Sequence, residues 1–338
     1  MTASVTVAIP VCDGGELLKR TLAALERQTV RHELLVCDSG STDGSPAAAR
    51  MYGARVIEIP RSGFSHGGTR NLLMRDANGE HVALLTQDAE PADERWLERL
   101  LEGFELAGDV GIVYGPYRAR ESASVAVRIE LERWFSSLSP EGSSQLERLG
   151  EQERNLSVTA LMGRRGFFTD ANACVDRAAW ERVPFRDVPY AEDRVLAIDM
   201  LRAGYAKAFV PEAVVVHSHD YTAFQELRRC FDEWRGLREV YGWREPARPG
   251  HLLRQLRGEL SQARQELYGA GVSRARRRAT LAAVSRHYVT RLAGALLGSR
   301  AGRIPPPVRR RLSLERRPGF VPLDLDASAS STPTPPST

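Results

Sequence analysis

The first half of the chain switches repeatedly between two kinds of segment, and no other feature narrows the possible folds as much. Val5 to Val11, Glu33 to Cys37, Arg55 to Ile59, His81 to Leu85 and Val110 to Tyr114 are short runs rich in branched apolar residues. Between them lie stretches with helical spacing: Gly15 to Gln28, with Leu18, Leu22 and Leu25 on one face, then Ser45 to Tyr52, Gly67 to Ala77 and Asp93 to Leu106. Strands alternating with helices predict an α/β fold, a mostly parallel, Rossmann-like sheet with helices on both faces. Ligands of such sheets gather outside the carboxyl ends of the strands. The residues that follow each run are therefore the ones to read for chemistry.

The second half is less regular. Ser122 to Glu153 reads as helical and polar, with Trp134 and Phe135 as its apolar spot, and Val158 to Gly166 reads as a flexible loop. Phe167 to Cys174 is expected as a strand, Arg177 to Arg182 as a short helix, and Glu192 to Ala203 as a helix closed by Gly204. Short strands are expected at Tyr205 to Val210 and Ala213 to His217, and mostly helix from Ala223 to Leu297. Ala327 to Thr338 holds Ser, Thr, Pro and Ala with almost no apolar mass, the composition of a disordered tail. The pattern divides the chain into a catalytic-type domain over 1–222, a helical extension over 223–318 and a tail over 319–338.

With 338 residues, 42% hydrophobic and 27% charged, a packed core is expected. A net charge of +4 gives no reason to invoke nucleic acid. Basic residues do crowd between Arg274 and Arg317, among them Arg276, Arg277, Arg278, Arg309, Arg310 and Arg311. Such a patch suits phosphate groups, an anionic membrane surface or a solvated helical face. The stretch His287 to Leu297 could lie on lipid or pack on the rest of the protein, and a dimer contact is a further use for the helical extension. Cys12, Cys37, Cys174 and Cys230 lack paired spacing, which fits reduced thiols in a cytoplasm rather than zinc or disulfides. The chain enters its first strand without a signal-peptide pattern, and no stretch is apolar enough to span a bilayer. A cytoplasmic protein, with membrane contact only from the side at the inner face, is the expectation.

Chemistry-bearing residues cluster where the fold argument places them. Pro10-Val11-Cys12-Asp13 follows the first strand, and Asp38-Ser39-Gly40-Ser41-Thr42-Asp43-Gly44-Ser45 the second. A strand-end carboxylate can hold a base or ribose while Gly and Ser let the backbone approach; an ordinary helix-capping turn is the competing reading. Thr86-Gln87-Asp88-Ala89-Glu90 leaves the fourth strand. Asp88 there can bind a divalent cation that neutralises a diphosphate leaving group, or can simply cap the next helix. Phe64-Ser65-His66-Gly67-Gly68-Thr69-Arg70-Asn71 opens a helix with glycines and an arginine, an anion site or else a loop with a surface Arg. Glu192-Asp193 opens another helix, whose dipole should lower their pKa values; ionised, either could take a proton from a hydroxyl, or merely cap. His217-Ser218-His219 follows a strand and would present both imidazoles on one face, where either could complete a metal site with Asp88.

Taken in order, Pro10-Val11-Cys12, the Asp38 to Gly44 run, Arg70-Asn71, Thr86-Gln87-Asp88, Glu192-Asp193 and His217-x-His219 resemble the family 2 glycosyltransferases of the GT-A fold, most closely their bacterial rhamnosyltransferase branch. The resemblance spans roughly Val5 to Phe231. It implies an inverting transfer of a sugar, rhamnose from a dTDP-rhamnose donor first among the choices, to a glycan or polyprenyl-linked acceptor, assisted by Mg²⁺ or Mn²⁺. It implies Asp193 as the catalytic base beside Glu192. Asp38 would contact the pyrimidine base, with Pro10 and Cys12 lining that pocket and Ser39 on the donor. Arg70 would lie near the diphosphate, with Gln87 and Asp88 on the donor; Asn172 would sit near the donor sugar or the acceptor; His217 or His219 would join Asp88 on the metal. Two positions depart from the family pattern: Thr86 replaces the first acid of the usual Asp-x-Asp, and Cys12-Asp13 stands where Asn or Tyr is common. A nucleotidyltransferase and a non-catalytic carbohydrate-binding protein are the rival classes. The former would usually show a Gly-rich phosphate loop right after the first strand, where Pro10-Val11-Cys12-Asp13-Gly14-Gly15 stands with no basic residue until Lys19; the latter has no use for an intact Glu192-Asp193.

Overall fold

The computed structural model describes residues 4–161, 163, 165–219, 221–269, 273–316 and 320. Eleven strands are described: β1 (Val5–Val11), β2 (Glu33–Asp38), β3 (Arg55–Glu58), β4 (His81–Leu85), β5 (Glu90–Pro91), β6 (Val110–Tyr114), β7 (Tyr117–Arg118), β8 (Gln145–Glu147), β9 (Asn172–Asp176), β10 (Ala206–Phe209) and β11 (Val215–Val216). Among and after them lie α1 (Gly15–Glu26), α2 (Ser45–Met51), α3 (His66–Asp76), α4 (Trp96–Glu105), α5 (Val125–Leu138), α6 (Val158–Leu161), α7 (Arg177–Arg182), α8 (Glu192–Arg202), α9 (Ala223–Tyr241), α10 (Pro249–Gly269), α11 (Arg274–Gly298) and α12 (Pro306–Leu312). The chain forms two compact units. The first holds residues 1–121, 131–156 and 161–218; the second holds 122–130, 157–160 and everything from His219 onward. The expected boundary after 222 falls four residues late, and two earlier segments belong with the helical unit.

In the first unit an eight-stranded sheet runs in the order β3-β2-β1-β4-β9-β6-β10-β8. β1, β2, β3 and β4 are mutually parallel, as the alternating sequence predicts. β1 buries every residue but Pro10, because helices cover both faces of a parallel sheet. Leu18, Leu22 and Leu25 of α1 are at most 1% exposed against it, and each such burial is worth roughly 1.5–3 kcal/mol.

Two strands correct the parallel expectation. β9 enters antiparallel between β4 and β6, and β8 pairs antiparallel with β10 at the edge. The β9 segment was expected to be extended from Phe167, but the ladder begins only at Asn172, which pairs with Leu85. Because β9 is reversed, its first residues lie at the carboxyl ends of β4 and β6. Residues 167–171 thus arrive at the ligand edge of the sheet. β8 interrupts the stretch read as one polar helix, which ends as α5 at Leu138. The loop expected from Val158 opens with the helical turn α6, and residues 162 and 164 of that loop lie outside the described residues.

A second, three-stranded sheet in the order β5-β11-β7 was not predicted. Val216 of β11 pairs with Glu90 and with Arg118. This small sheet ties together the chain leaving β4, the chain leaving β6 and the approach to His217. The strand expected to run through His217 stops at Val216, so the imidazoles follow the strand rather than belonging to it.

The second unit is helical. Thr222 and Gln225 close a reciprocal cap on α9, which ends at Gly242 in the left-handed region. α11 lies against α9 at two glycines. A Cβ on Gly294 would stand 2.6 Å from the Leu227 carbonyl, and one on Gly298 2.3 Å from that of Phe231. Arg291 of α11 reaches Glu226 at 3.0 Å and Glu130 at 3.1 Å. The stretch His287 to Leu297, read as a lipid-facing or packing surface, buries Gly294 and Ala295 within this unit and leaves Val289 51% and Leu297 38% exposed. Among the described residues no helix is long and apolar enough to cross a membrane. The expected disordered tail, Ala327 to Thr338, lies outside the described residues.

Candidate active site

The loops leaving β1, β2 and β4 are laced together by short polar side chains. The Gln87 amide accepts from the Cys12 N–H at 2.8 Å and donates to the Cys12 carbonyl at 3.2 Å. The Ser39 hydroxyl donates to the Val11 carbonyl at 3.0 Å. The Asp13 N–H donates to Ser41 at 2.8 Å, and Asp13 accepts from the Thr42 N–H at 2.7 Å and from Arg61 at 2.5 Å. The Thr42 amide first, then Arg61, holds the Asp13 carboxyl below its usual range. Asp38 is 3% exposed. Its Oδ2 accepts from the Gly40 and Ser41 amides, both at 3.0 Å, while its Oδ1 is buried with no partner. An orphaned buried acceptor is costly unless a ligand donor meets it, which suits Asp38 to the base-contacting role expected of it. Pro10 and Cys12, both partly exposed, flank the same strand ends.

The expected metal ligands converge. Asp88 Oδ1 and His217 Nδ1 are 3.4 Å apart, each side chain 13% exposed. His219, two residues along the chain, brings a third donor; the ligand atoms of the three lie within 4.8 Å of one another. A cation with bonds of roughly 2.1 Å spans at most roughly 4.2 Å between two ligand atoms, a span the 3.4 Å Asp88–His217 pair already meets. One carboxylate and two imidazoles leave coordination positions for phosphate oxygens. Arg120, which carried no signal in the sequence, bonds the Asp88 and Ser218 carbonyls, and its N–H donates to the Ser218 hydroxyl at 3.0 Å. It thus fixes the backbone on both sides of the pair.

The second acidic group sits at the start of α8. Ala191 just before it adopts φ +56°, a left-handed conformation that a non-glycine residue holds only where surroundings enforce it. After this turn Glu192 is buried, 5% exposed, and Asp193 is half-buried. Arg70, 5% exposed, reaches Glu192 at 3.0 Å and Asp170 Oδ1 at 2.7 Å. The helix dipole predicts lowered pKa values here; the structure reverses that. Burial, and then the neighbouring Asp170 charge, push Asp193 up to about 7. Burial also raises Asp170 to about 7 and lifts Glu192. Loss of hydration outweighs the dipole because these carboxyls crowd one another.

Tyr117 connects the two acidic groups. Its phenol bonds Thr169, and its ring meets His217 edge-on at 5.0 Å between centroids. Burial first, then the charges of Asp193, Asp170 and Asp88, hold its proton well above the usual range. One phenol that feels all three carboxylates puts the metal-type pair and the α8 carboxylate in one locality.

Two expectations are corrected. Asn172 was expected near the donor sugar or the acceptor, yet it is fully buried with its amide committed. It accepts from Trp96 Nε1 at 2.8 Å and donates to the Pro116 and Ala213 carbonyls at 3.0 and 2.7 Å. It braces the sheet edge and offers a ligand nothing. Arg70 was expected beside a diphosphate at an open helix start. Its guanidinium is instead enclosed by Asp170 and Glu192, and Gly67 backs onto the Arg186 carbonyl, which a Cβ would approach to 2.2 Å. Gly67 serves this close packing, and Gly68 leaves room for the Ser65 hydroxyl that caps the helix.

Comparison with known proteins bears on the family and the fold. Residues 6–170 match the model of "Glycosyl transferase family 2". The chain is 30% identical over 235 residues to the O-antigen chain rhamnosyltransferase WbaN of Salmonella anatum, and 29% identical over 231 residues to RfbN of Salmonella typhimurium. Each match covers 68% of this chain and 70% of the relative. Among solved structures, a mannosyltransferase from Pyrobaculum calidifontis in complex with GDP-Man and Mn²⁺ aligns with a TM-score of 0.56 at 19% identity, over 88% of this chain and 87% of that one.

Proposed function

Because the chain belongs to glycosyl transferase family 2, we propose that it moves one sugar from a nucleotide-sugar onto a hydroxyl of a glycan or polyprenyl-linked acceptor, inverting the anomeric centre. Rhamnose on deoxythymidine diphosphate comes first, since both Salmonella relatives carry that sugar in their names. One observation carries the reading. Asp193 is a half-buried carboxylate with a proton affinity near neutrality, and it shares the surroundings of Tyr117 with Asp88. A general base works best when its pKa lies near the working pH.

In the proposed step Asp193 accepts the proton of the acceptor hydroxyl as that oxygen attacks the anomeric carbon. The bond to the nucleoside diphosphate breaks on the opposite side, so the configuration inverts. The Arg194 amide, 2.7 Å from Asp193 Oδ1, holds the carboxylate in its orientation. Asp38 Oδ1 is available to accept the ring N–H of a pyrimidine. Asp88, His217 and His219 would hold Mg²⁺ or Mn²⁺, which when bound offsets the charge gathering on the leaving diphosphate. Arg120 keeps the backbone around those ligands from drifting.

The test is transfer from dTDP-rhamnose with Mn²⁺ onto a glycan acceptor, the product's anomeric configuration read by NMR. The configuration opposite to the donor's is expected. A product that retains it requires either a covalent intermediate or attack from the leaving group's own face, and removes Asp193 from the role of in-line base.

A further inference from the structure

We infer that Arg70 and Asp170 are positioning residues for Asp193: they act from behind the carboxylate, without touching donor or acceptor. The inference rests on the assignment of Asp193 as base. Three segments far apart in sequence meet at this point. Arg70 comes from α3, Asp170 from the chain entering β9, and Glu192-Asp193 from the start of α8. The side chains of Arg70, Asp170 and Glu192 are 6–7% exposed and are paired with one another. The single guanidinium bridges both carboxylates and so ties the first residue of α8 to the sheet edge. Asp193 is the next residue, and its place follows from that tether together with the left-handed turn at Ala191.

Charge gives the bridge a second effect. The groups facing Asp193 are Asp170, Arg194, Arg70, Glu192 and Tyr117. Arg194 lies over the Phe167 ring at 5.3 Å, and half-exposed His66 stands 3.7 Å from Glu192. Asp88 lies beyond Tyr117. Within this set Asp170 and Arg70 bear on Asp193 with opposite signs: the anion favours its protonated form and the cation its ionised form. Removing either one moves the proton affinity of Asp193 in opposite directions. A residue that merely held the fold together would slow transfer without moving that affinity by sign.

The experiment is the pH profile of kcat/KM for Asp170→Asn, Arg70→Met and Arg70→Lys, with nucleoside diphosphate affinity measured in the presence of Mn²⁺. Asp170→Asn should shift the acid limb to lower pH, by about one unit for a near charge removed. Arg70→Met should shift it upward by a similar amount, and Arg70→Lys should return it towards the parent. Nucleoside diphosphate affinity should stay within about twofold throughout. If Arg70→Met does not fold, Asp170→Asn, which keeps size and one acceptor oxygen, decides alone. Limbs that stay in place, or move in the same direction, overturn the inference. So does a tenfold loss of nucleotide affinity in Arg70→Met with the limb unmoved, which would return Arg70 to the diphosphate. Asp193→Asn run alongside separates the two claims: if it transfers at the parent rate, the base assignment falls; if it is inactive while the limbs stay put, only this inference falls.

Discussion

Asp13 and Asp193 are the same residue type at the same edge of one sheet, yet their surroundings drive them in opposite directions. Asp13 and its neighbour Asp43 sit in the exposed loops after β1 and β2, where amides, hydroxyls and Arg61 hold their carboxyls below the usual value. Asp193 accepts from one amide, and although Arg194 and Arg70 bear on it, burial and the Asp170 charge outweigh them and push it up to about 7. Hydrogen-bond donors decide the first case and lost hydration the second. The lesson is a division of labour. Carboxylates saturated with donors shape the donor loops and stay ionised, while the crowded, poorly solvated one is left able to exchange a proton.

The sharpest way to break this contrast is to neutralise its active member. Asp193→Asn should lower kcat by about 10²–10⁴-fold, the range of general-base contributions. Donor binding should remain, since the donor loops hang on other carboxylates. Isothermal titration with nucleoside diphosphate beside the transfer assay checks both halves. A smaller effect is expected on the metal side. Asp88→Ala should weaken Mn²⁺-dependent nucleotide binding by at least the roughly tenfold that loss of supporting contacts at metal sites costs. Unaltered affinity would remove Asp88 from the ligand set.

The smallest effect concerns stability. A carboxyl raised from 3.8 to about 7 in the fold binds its proton there more tightly than in the unfolded chain. Between about pH 4 and 7 the folded state therefore carries more protons, and this contribution to stability declines as pH rises through that window, levelling off above it. Asp193→Asn removes the burden of the ionised group. Its Tm at pH 8 should exceed the parent's by a few degrees (about 2–4 °C per kcal/mol at this size), the gap closing towards pH 4. Equal or lower Tm at pH 8 would contradict the crowding described here.

These properties differ in how far the sequence reveals them. The order of β1 to β4 was legible because buried parallel strands appear as apolar runs separated by amphipathic helices. Asp88, His217, His219 and Glu192-Asp193 were legible because each stands immediately after such a run or at a helix start. Asp170 and Tyr117 were not. Their places depend on β9 running backwards between β4 and β6 and on the small β5-β11-β7 sheet, and long-range pairing leaves no local periodicity. The role of Arg70 was misjudged for a related reason. Gly67-Gly68 before an arginine suggests an anion cradle, and only the packing of Gly67 on the Arg186 carbonyl reveals a closed helix start. The sign of the Asp193 shift was likewise out of reach, since the dipole is local and burial is tertiary.

A structure of the protein with a nucleotide-sugar and Mn²⁺ would bear most directly on the whole account. It should place the cation on Asp88 with His217 or His219, and the anomeric carbon between that cation and the Asp193 carboxylate. A donor whose anomeric carbon points away from Asp193, or a cation bound elsewhere, would contradict it.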